Sequence, residues 1–185
     1  MSLQPTIHGA CSIKSPAAEF FARMKQRVAA GFLSGRAQSR SNYVVAQAEP
    51  TFLCIRAADW STAINVGLNE LELHVTQPAQ VRYHVRYWRW ASYAIALSAV
   101  LGAIGLAFLL LTDVRSYIEA NPSRMIPGLS TEQNLLLAWS MVLFWGFVWP
   151  WLLIHLHQRP LRRLLERVIS EVDASEYAVG VGLNR

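Results

Sequence analysis

Two long stretches without charge constrain this 185-residue chain more than any other feature. Trp90 to Thr112 runs 23 positions with no Asp, Glu, Lys or Arg, and Asn134 to Leu156 is free of them as well. At about 1.5 Å of rise per residue, such a run reaches roughly 35 Å as a helix. The hydrocarbon core of a bilayer is roughly 30 Å thick. Hydrophobic residues make up 53% of the chain and charged residues only 16%. The deficit of charge is concentrated in these two blocks, so both are expected to be transmembrane helices, at 90–112 and 134–157, joined as a hairpin.

The flanks predict an orientation. Arg82, Arg86 and Arg89 precede the first span, and Arg159, Arg162, Arg163 and Arg167 follow the second. The connection 113–133 carries Arg115 and Arg124 against Asp113, Glu119 and Glu132. Lys and Arg concentrate on the cytoplasmic side of membrane proteins. Both termini are therefore expected there, with 113–133 as an extracytoplasmic loop, in a plasma or inner membrane. Trp88 and Trp90 at the head of one span, and Trp149 and Trp151 near the end of the other, fit an aromatic belt at the same leaflet. The formal charge is +5, and residues 1–90 hold ten Lys/Arg against five Asp/Glu. That excess suits anionic lipid headgroups. Residues 1–15 lack the continuous apolar core of an export signal, since Pro5, His8 and Lys14 interrupt them. They are expected to be a flexible N-terminus.

Each span has features for helix packing. Ala94, Ser98 and Gly102 recur every four residues, with Gly105 beside them, a small-residue face that lets a second helix approach closely. Pro150 has no N–H for the carbonyl of Gly146, which predicts a distortion one turn earlier. Trp145 and Trp149 share a face of the second span, so the hairpin is expected to pack bulky tryptophan against small residues; self-association through the same face is the alternative. His155 and His157, two apart, point to different faces and suit interfacial hydrogen bonds better than a metal. Ser130-Thr131-Glu132-Gln133 has the spacing of a capping box opening the second span.

The segment 16–89 predicts a small cytoplasmic α+β domain: one amphipathic helix and an antiparallel meander of about four strands. Ser15-Pro16 signals a helix start, and Phe20, Phe21, Met24, Val28 and Phe32 follow at helical spacing. Ser34 to Ser41, with Arg36 and Arg40, form a polar linker. Tyr43-Val44-Val45 and Phe52-Leu53-Cys54-Ile55 flank a turn at Glu49-Pro50-Thr51. A mixed stretch, Asp59 to Asn69, is assigned to turn chemistry. Leu71, Leu73 and Val75, then Val81, Tyr83, Val85 and Tyr87, alternate with polar residues across Gln77-Pro78-Ala79. Placing both apolar sets on one face pairs Leu73 with Tyr83, Glu72 with His84 and Glu70 with Arg86. One helix covers one face of such a sheet, so the other face is expected to meet a partner, a second copy or the membrane. The last strand enters the first span with no linker.

The tail 158–185 opens at Pro160 with Leu161, Leu164, Leu165, Val168 and Val172 along one face. It is expected as an amphipathic helix, packed on the sheet rather than on the bilayer because Glu171, Asp173 and Glu176 disfavour an anionic surface; Tyr177 to Arg185 read as frayed. Basic and aromatic residues interleave from Arg82 to Trp90, which suits a single-stranded nucleic-acid platform. Next to a span, however, they suit anchoring, and no nucleic acid is expected. Phosphate loops, zinc spacings, nucleophile elbows and paired intramembrane carboxylates are not found in the sequence, so no catalytic residue, metal or cofactor is assigned. The expected function is that of a non-enzymatic membrane-anchored interaction protein: a scaffold, assembly or regulatory subunit, with a protein partner or a second copy. The alternative is a lipid- or small-ligand-binding domain with a pocket between helix and sheet.

Overall fold

The computed structural model describes residues 5–33, 43–77, 79–122 and 125–175. The linker 34–41, Pro78, Arg124, Glu176 and the closing residues 177–185 lie outside the described residues. The chain divides into two compact units, one from Met1–Ala91 with Leu156–Arg185 and one from Ser92–His155.

The first unit is built on a five-stranded antiparallel sheet. Its strands are β1 (Thr6–Ser12), β2 (Tyr43–Glu49), β3 (Phe52–Ala57), β4 (Glu70–Gln77) and β5 (Gln80–Arg86). They lie in the order β1-β5-β4-β3-β2. The alternation fixes the register as the sequence implies, with Leu73 opposite Tyr83, Glu72 opposite His84 and Glu70 opposite Arg86. The turn is tighter than expected, with Gln77 paired to Gln80, and a bulge between Val75 and Gln77 restores the same parity.

Two corrections follow at the ends of this unit. Within the segment 1–15 expected to be flexible, Thr6–Ser12 form a strand: β1 pairs with β5 from Thr6–Arg86 to Ser12–Gln80. Only Ile7 and small residues need face inward on an edge strand, so Pro5, His8 and Lys14 in and around it do not prevent a strand. Gly9 is required there, because a Cβ would overlap the Tyr83 ring that lies across it. The mixed stretch after Asp59 is a short helix, α2 (Trp60–Val66), in addition to α1 (Ala17–Gly31). Asp59 accepts from the Thr62 N–H at 2.6 Å, and Gly67 ends α2 in the left-handed conformation at φ 73°.

The tail belongs to this same unit. Pro160 does not open a helix but lies inside α6 (Trp149–Ala174). Leu161, Leu165, Val168, Ile169 and Val172 are buried, as are Phe20, Phe21, Met24, Val28 and Phe32 of the α1 segment. Both helices therefore cover the face carrying Leu53, Ile55, Leu71, Leu73, Val81, Tyr83 and Val85, all buried. Burying a side chain of this size contributes about 1.5–3 kcal/mol. Polar contacts fix the second helix. Asp173 accepts from the Lys14 and Ser15 N–H groups at 2.8 and 3.0 Å and from the Ser15 hydroxyl at 2.7 Å. Ser15 is thus not the N-cap of α1, which has no side-chain cap; its hydroxyl is taken by the tail. Arg27 pairs with Glu171 at 2.9 Å, and the Tyr83 hydroxyl donates to Glu166 at 3.1 Å.

The second unit is a helical hairpin. From Ser92 it contains the body of α3 (Trp88–Leu111), then α4 (Val114–Ala120), α5 (Thr131–Leu143), a π-helical stretch at Phe144–Val148 and the start of α6. Thr131–Ala174 is one continuous 44-residue helix, and it and α3 are the two helices long and apolar enough to cross a membrane. The capping box is present, with Gln133 N–H to Ser130 Oγ at 3.3 Å and Ser130 N–H to Gln133 Oε1 at 2.9 Å. The π stretch lies one turn before Pro150, where Trp149 N–H bonds the carbonyl of Phe144. The widened turn shifts the hydrogen-bond ladder around the donor that proline lacks. Ala94, Ser98, Gly102 and Gly146 are buried. At Gly102 the small face meets glycine: a Cβ there would lie 2.7 Å from Gly146 Cα, and one on Gly105 would lie 3.0 Å from Val142. The chain's own hairpin occupies the face that self-association would need.

Gly102→Val should cost about 1–3 kcal/mol by overpacking this crossing, read as thermal stability in detergent, while Ala103→Val on the exposed side should cost much less. Equal losses would refute the glycine contact. At the tail, burial of Asp173 raises its pKa, but the Lys14 and Ser15 hydrogen bonds and the Arg23 charge outweigh it and hold the carboxyl below 3.8. A depressed pKa stabilises the fold fully above the unfolded value of about 3.9, and the contribution is lost as pH falls through the folded value. Acidification below about pH 4 should therefore increase hydrogen exchange at the Lys14 and Ser15 amides. Asp173→Asn should show fast exchange at neutral pH and little further change in acid.

Candidate functional site

Two surfaces of the first unit present chemistry, and each is assembled by strand register. The uncovered face of the sheet carries His8 from β1, Arg82, His84 and Arg86 from β5, Glu70, Glu72 and His74 from β4, and Phe52, Cys54 and Arg56 from β3. Both carboxylates among these groups are paired. Glu70 meets Arg56 at 3.0 Å and Arg86 at 3.5 Å, and Glu72 meets Arg86 at 3.1 Å and His84 at 3.0 Å. His8 stacks on His84 with ring centroids 4.3 Å apart. The face expected to meet a partner is therefore a polar lattice in which both glutamates are paired. Burial and a hydrogen bond to Glu70 push the Cys54 thiol up to about 11, so it stays protonated at neutral pH and is a poor nucleophile. Asp59 caps α2, His74 packs on the Phe52 ring at 4.6 Å, and Glu72 and His84 stand on the open sheet. These four residues do not converge in one cleft. Among the described residues no group of three His, Cys, Asp or Glu side chains is placed to hold a metal.

The second surface surrounds the start of α3. Only Tyr87 separates β5 from α3. It is fully buried, its N–H donates to the Pro5 carbonyl at 3.0 Å, and its hydroxyl accepts from Gln158 at 3.0 Å. Buried Asn69 joins three elements. Its N–H donates to the Arg86 carbonyl and its carbonyl accepts from the Ala57 N–H, both at 2.9 Å. With its amide oriented to satisfy its neighbours, its side-chain oxygen accepts from the Trp88 indole N–H at 3.1 Å and the Arg89 backbone N–H at 2.9 Å. Asn69 thus caps α3 from a distant loop, satisfying an N–H that the first turn leaves free. Trp90 stacks on His157 at 4.1 Å, and His157 Nε2 lies 3.3 Å from the Gly67 carbonyl.

Arg89 has an unusual setting. Its guanidinium carbon lies 5.2 Å from the Trp60 ring and 5.5 Å from the Trp88 ring, and those two rings meet edge to face at 5.8 Å. Both tryptophans are about half exposed. Trp60 is absent from the sequence-predicted site. Asp59 three residues before Thr62, with Gly67 behind, is the signal that marks a short helix and puts Trp60 in its first turn.

The remaining sequence-predicted interface residues are dispersed. Arg82 is exposed on the open sheet face and Arg86 is committed to Glu70 and Glu72. Arg162 donates to the His8 carbonyl at 3.3 Å, while Arg159 and Arg163 are exposed. In the second unit Trp151 is exposed and Trp149 stacks against Trp145 at 4.6 Å. No protein-family model matches this chain, and no curated protein or solved structure matches it either.

Gly67 ties the end of α2 to His157 of α6. Any side chain there adopts a left-handed φ of 73° and overlaps the His157 imidazole. Gly67→Ala should cost at least about 1 kcal/mol from the backbone alone, measured by denaturant unfolding. In the double variant with His157→Ala the steric part should be relieved, giving a smaller loss than the sum of the singles. Strict additivity would argue against the contact.

Proposed function

We propose that the chain is a non-enzymatic membrane-anchored interaction protein, a scaffold, assembly or regulatory subunit whose sheet domain is displayed on the cytoplasmic side. Support for the membrane hairpin comes from the surface of its helices. Val100, Leu101, Ile104, Phe108 and Leu110 on α3, and Leu136, Phe147 and Val148 on the second helix, are each more than half exposed. Apolar residues so placed are stable in lipid and costly in water. The arginine asymmetry of the flanks supports both termini in the cytoplasm, the loop 113–133 on the far side, and anionic headgroups as the lipid partner.

A single observation carries the interaction reading. Strand β2 is an outer strand, and all of it after Tyr43 is exposed, including Val44 at 48% and Val45 at 37%. Edge strands are usually protected by charge, proline or cover. β2 has a bulge between Val45 and Gln47 but one charged residue, Glu49. Among the described residues of the sheet domain, the exposed large apolar side chains other than the indoles of Trp60 and Trp88 lie on this edge, where an extended segment of a protein partner can add a strand. A pocket between α1 and the sheet gains no support, because Phe20, Met24, Phe32, Leu53, Leu71 and Leu73 fill that interface with no exposed surface.

A photo-cross-linker at Val44 or Ala48 should capture one defined protein species in native membranes, whereas one at Lys25 should not. Val44→Asp should reduce that capture at least several-fold. A chain that stays uncross-linked from both strand positions, and purifies from native membranes as a lone monomer, would overturn the reading. Reporters fused at 113–133 and at Arg185 test the orientation, and a cytoplasmic signal from the loop would reverse it.

A further inference from the structure

We propose that Arg89, held between Trp60 and Trp88, binds the phosphate of an anionic membrane phospholipid and so fixes the depth of α3 at the bilayer surface. This rests on the reading of α3 as a membrane span. The argument begins from charge. The other arginines buried at contacts have acceptors: Arg23 meets Glu19 and Ser15, and Arg27 meets Glu171 and the Phe32 carbonyl. Arg89 has none among the described residues, and its Nε is buried without a hydrogen-bond partner. Ring faces stabilise the guanidinium as a cation but do not accept its in-plane N–H groups. The Nε is enclosed and out of reach of solvent, but Arg89 as a whole is only partly buried, so the accessible part of its guanidinium can meet an anion from outside.

The position selects the anion. Arg89 is the second residue of α3, and from Trp90 the helix runs to Thr112 without charge. A guanidinium one turn or less from such a run meets headgroup phosphates, which match its planar fork. Trp60 and Trp88 expose about half of their surfaces beside it, and indole rings prefer this polar–apolar boundary. Asn69 adds stiffness, since it holds Trp88 and the Arg89 backbone and leaves only the guanidinium end to bind. A clamp of two indoles and one arginine, contributed by α2 and α3, is a built site and not a diffuse basic patch.

The full-length chain in detergent is titrated with phosphatidic acid, with a phosphate-free galactosyl diacylglycerol, and with inorganic phosphate, and lipid retention is read by native mass spectrometry. Phosphatidic acid should bind at least about tenfold more tightly than the galactolipid, about 1.4 kcal/mol. Arg89→Gln should abolish that preference, Trp60→Leu should weaken it several-fold, and Lys25→Gln on exposed α1 should leave it intact. Trp60→Leu alters an exposed ring, so the test survives misfolding of the Arg89 variant. An unchanged preference in Arg89→Gln or in Trp60→Leu would overturn the site. Equal competition by inorganic phosphate, or an Arg89-dependent preference for a single-stranded oligonucleotide over lipid, would overturn the lipid assignment. Carbonate extraction of wild-type membranes separates the two readings. Release of the chain defeats the membrane span itself, whereas retention with no Arg89-dependent lipid binding defeats only the phosphate site.

Discussion

The single residue between β5 and α3 is the constraint on which the first unit depends. Tyr87 ends a strand and precedes a helix, and it is fully buried. A joint of one residue has no loop around it, so its surroundings must hold the backbone of that residue in place. They do so with Pro5 on its N–H, Gln158 on its hydroxyl and Asn69 on the two residues that follow. Those partners come from the N-terminal strand, the C-terminal helix and the loop before β4. The strand order therefore has a mechanical reading: β5 is flanked on both sides, by β1 and β4, and the strand that enters α3 is not an edge.

Local patterns were legible from sequence because they rest on contacts close along the chain. The β4–β5 register follows from parity alone, since a slip by one residue would put Leu71, Leu73, Val81 and Tyr83 in water. The capping box needs four adjacent residues, and the apolar stripe of α1 needs only its own spacing. The π stretch before Pro150 follows from one missing donor. What sequence reading lost depends on distant partners. β1 has a single large apolar residue, Ile7, and becomes a strand because β5 offers a free edge. Pro160 looks like a boundary but is tolerated in α6. Ser15 looks like a cap but is bonded by Asp173, 158 residues away.

The premise that one helix covers the sheet is amended for a related reason: α1 and the C-terminal half of α6 share that task on the same face. The other face could then be polar, and its residues answer one another by register: Glu70 lies between Arg56 and Arg86, and Glu72 between Arg86 and His84. Each exposed pair of this kind is worth little, roughly 0.2–1 kcal/mol. Their joint effect is to pair both carboxylates of the open face, Glu70 and Glu72, with cations of the neighbouring strands.

The arginines before the first span show how a uniform sequence pattern separates into different physical roles. Arg82, Arg86 and Arg89 all count equally toward orientation, because that bias depends on charge near a span and not on pairing. Folding distinguishes them. The strand alternation sends Arg82 and Arg86 to the open face, where Glu70 and Glu72 neutralise Arg86. The change from strand to helix at Tyr87 breaks the alternation, so Arg89 turns away from that lattice and toward α2. There it meets two indole rings and, among the described residues, no carboxylate. The same joint thus sets a cation between indoles at the residue just before the uncharged run begins.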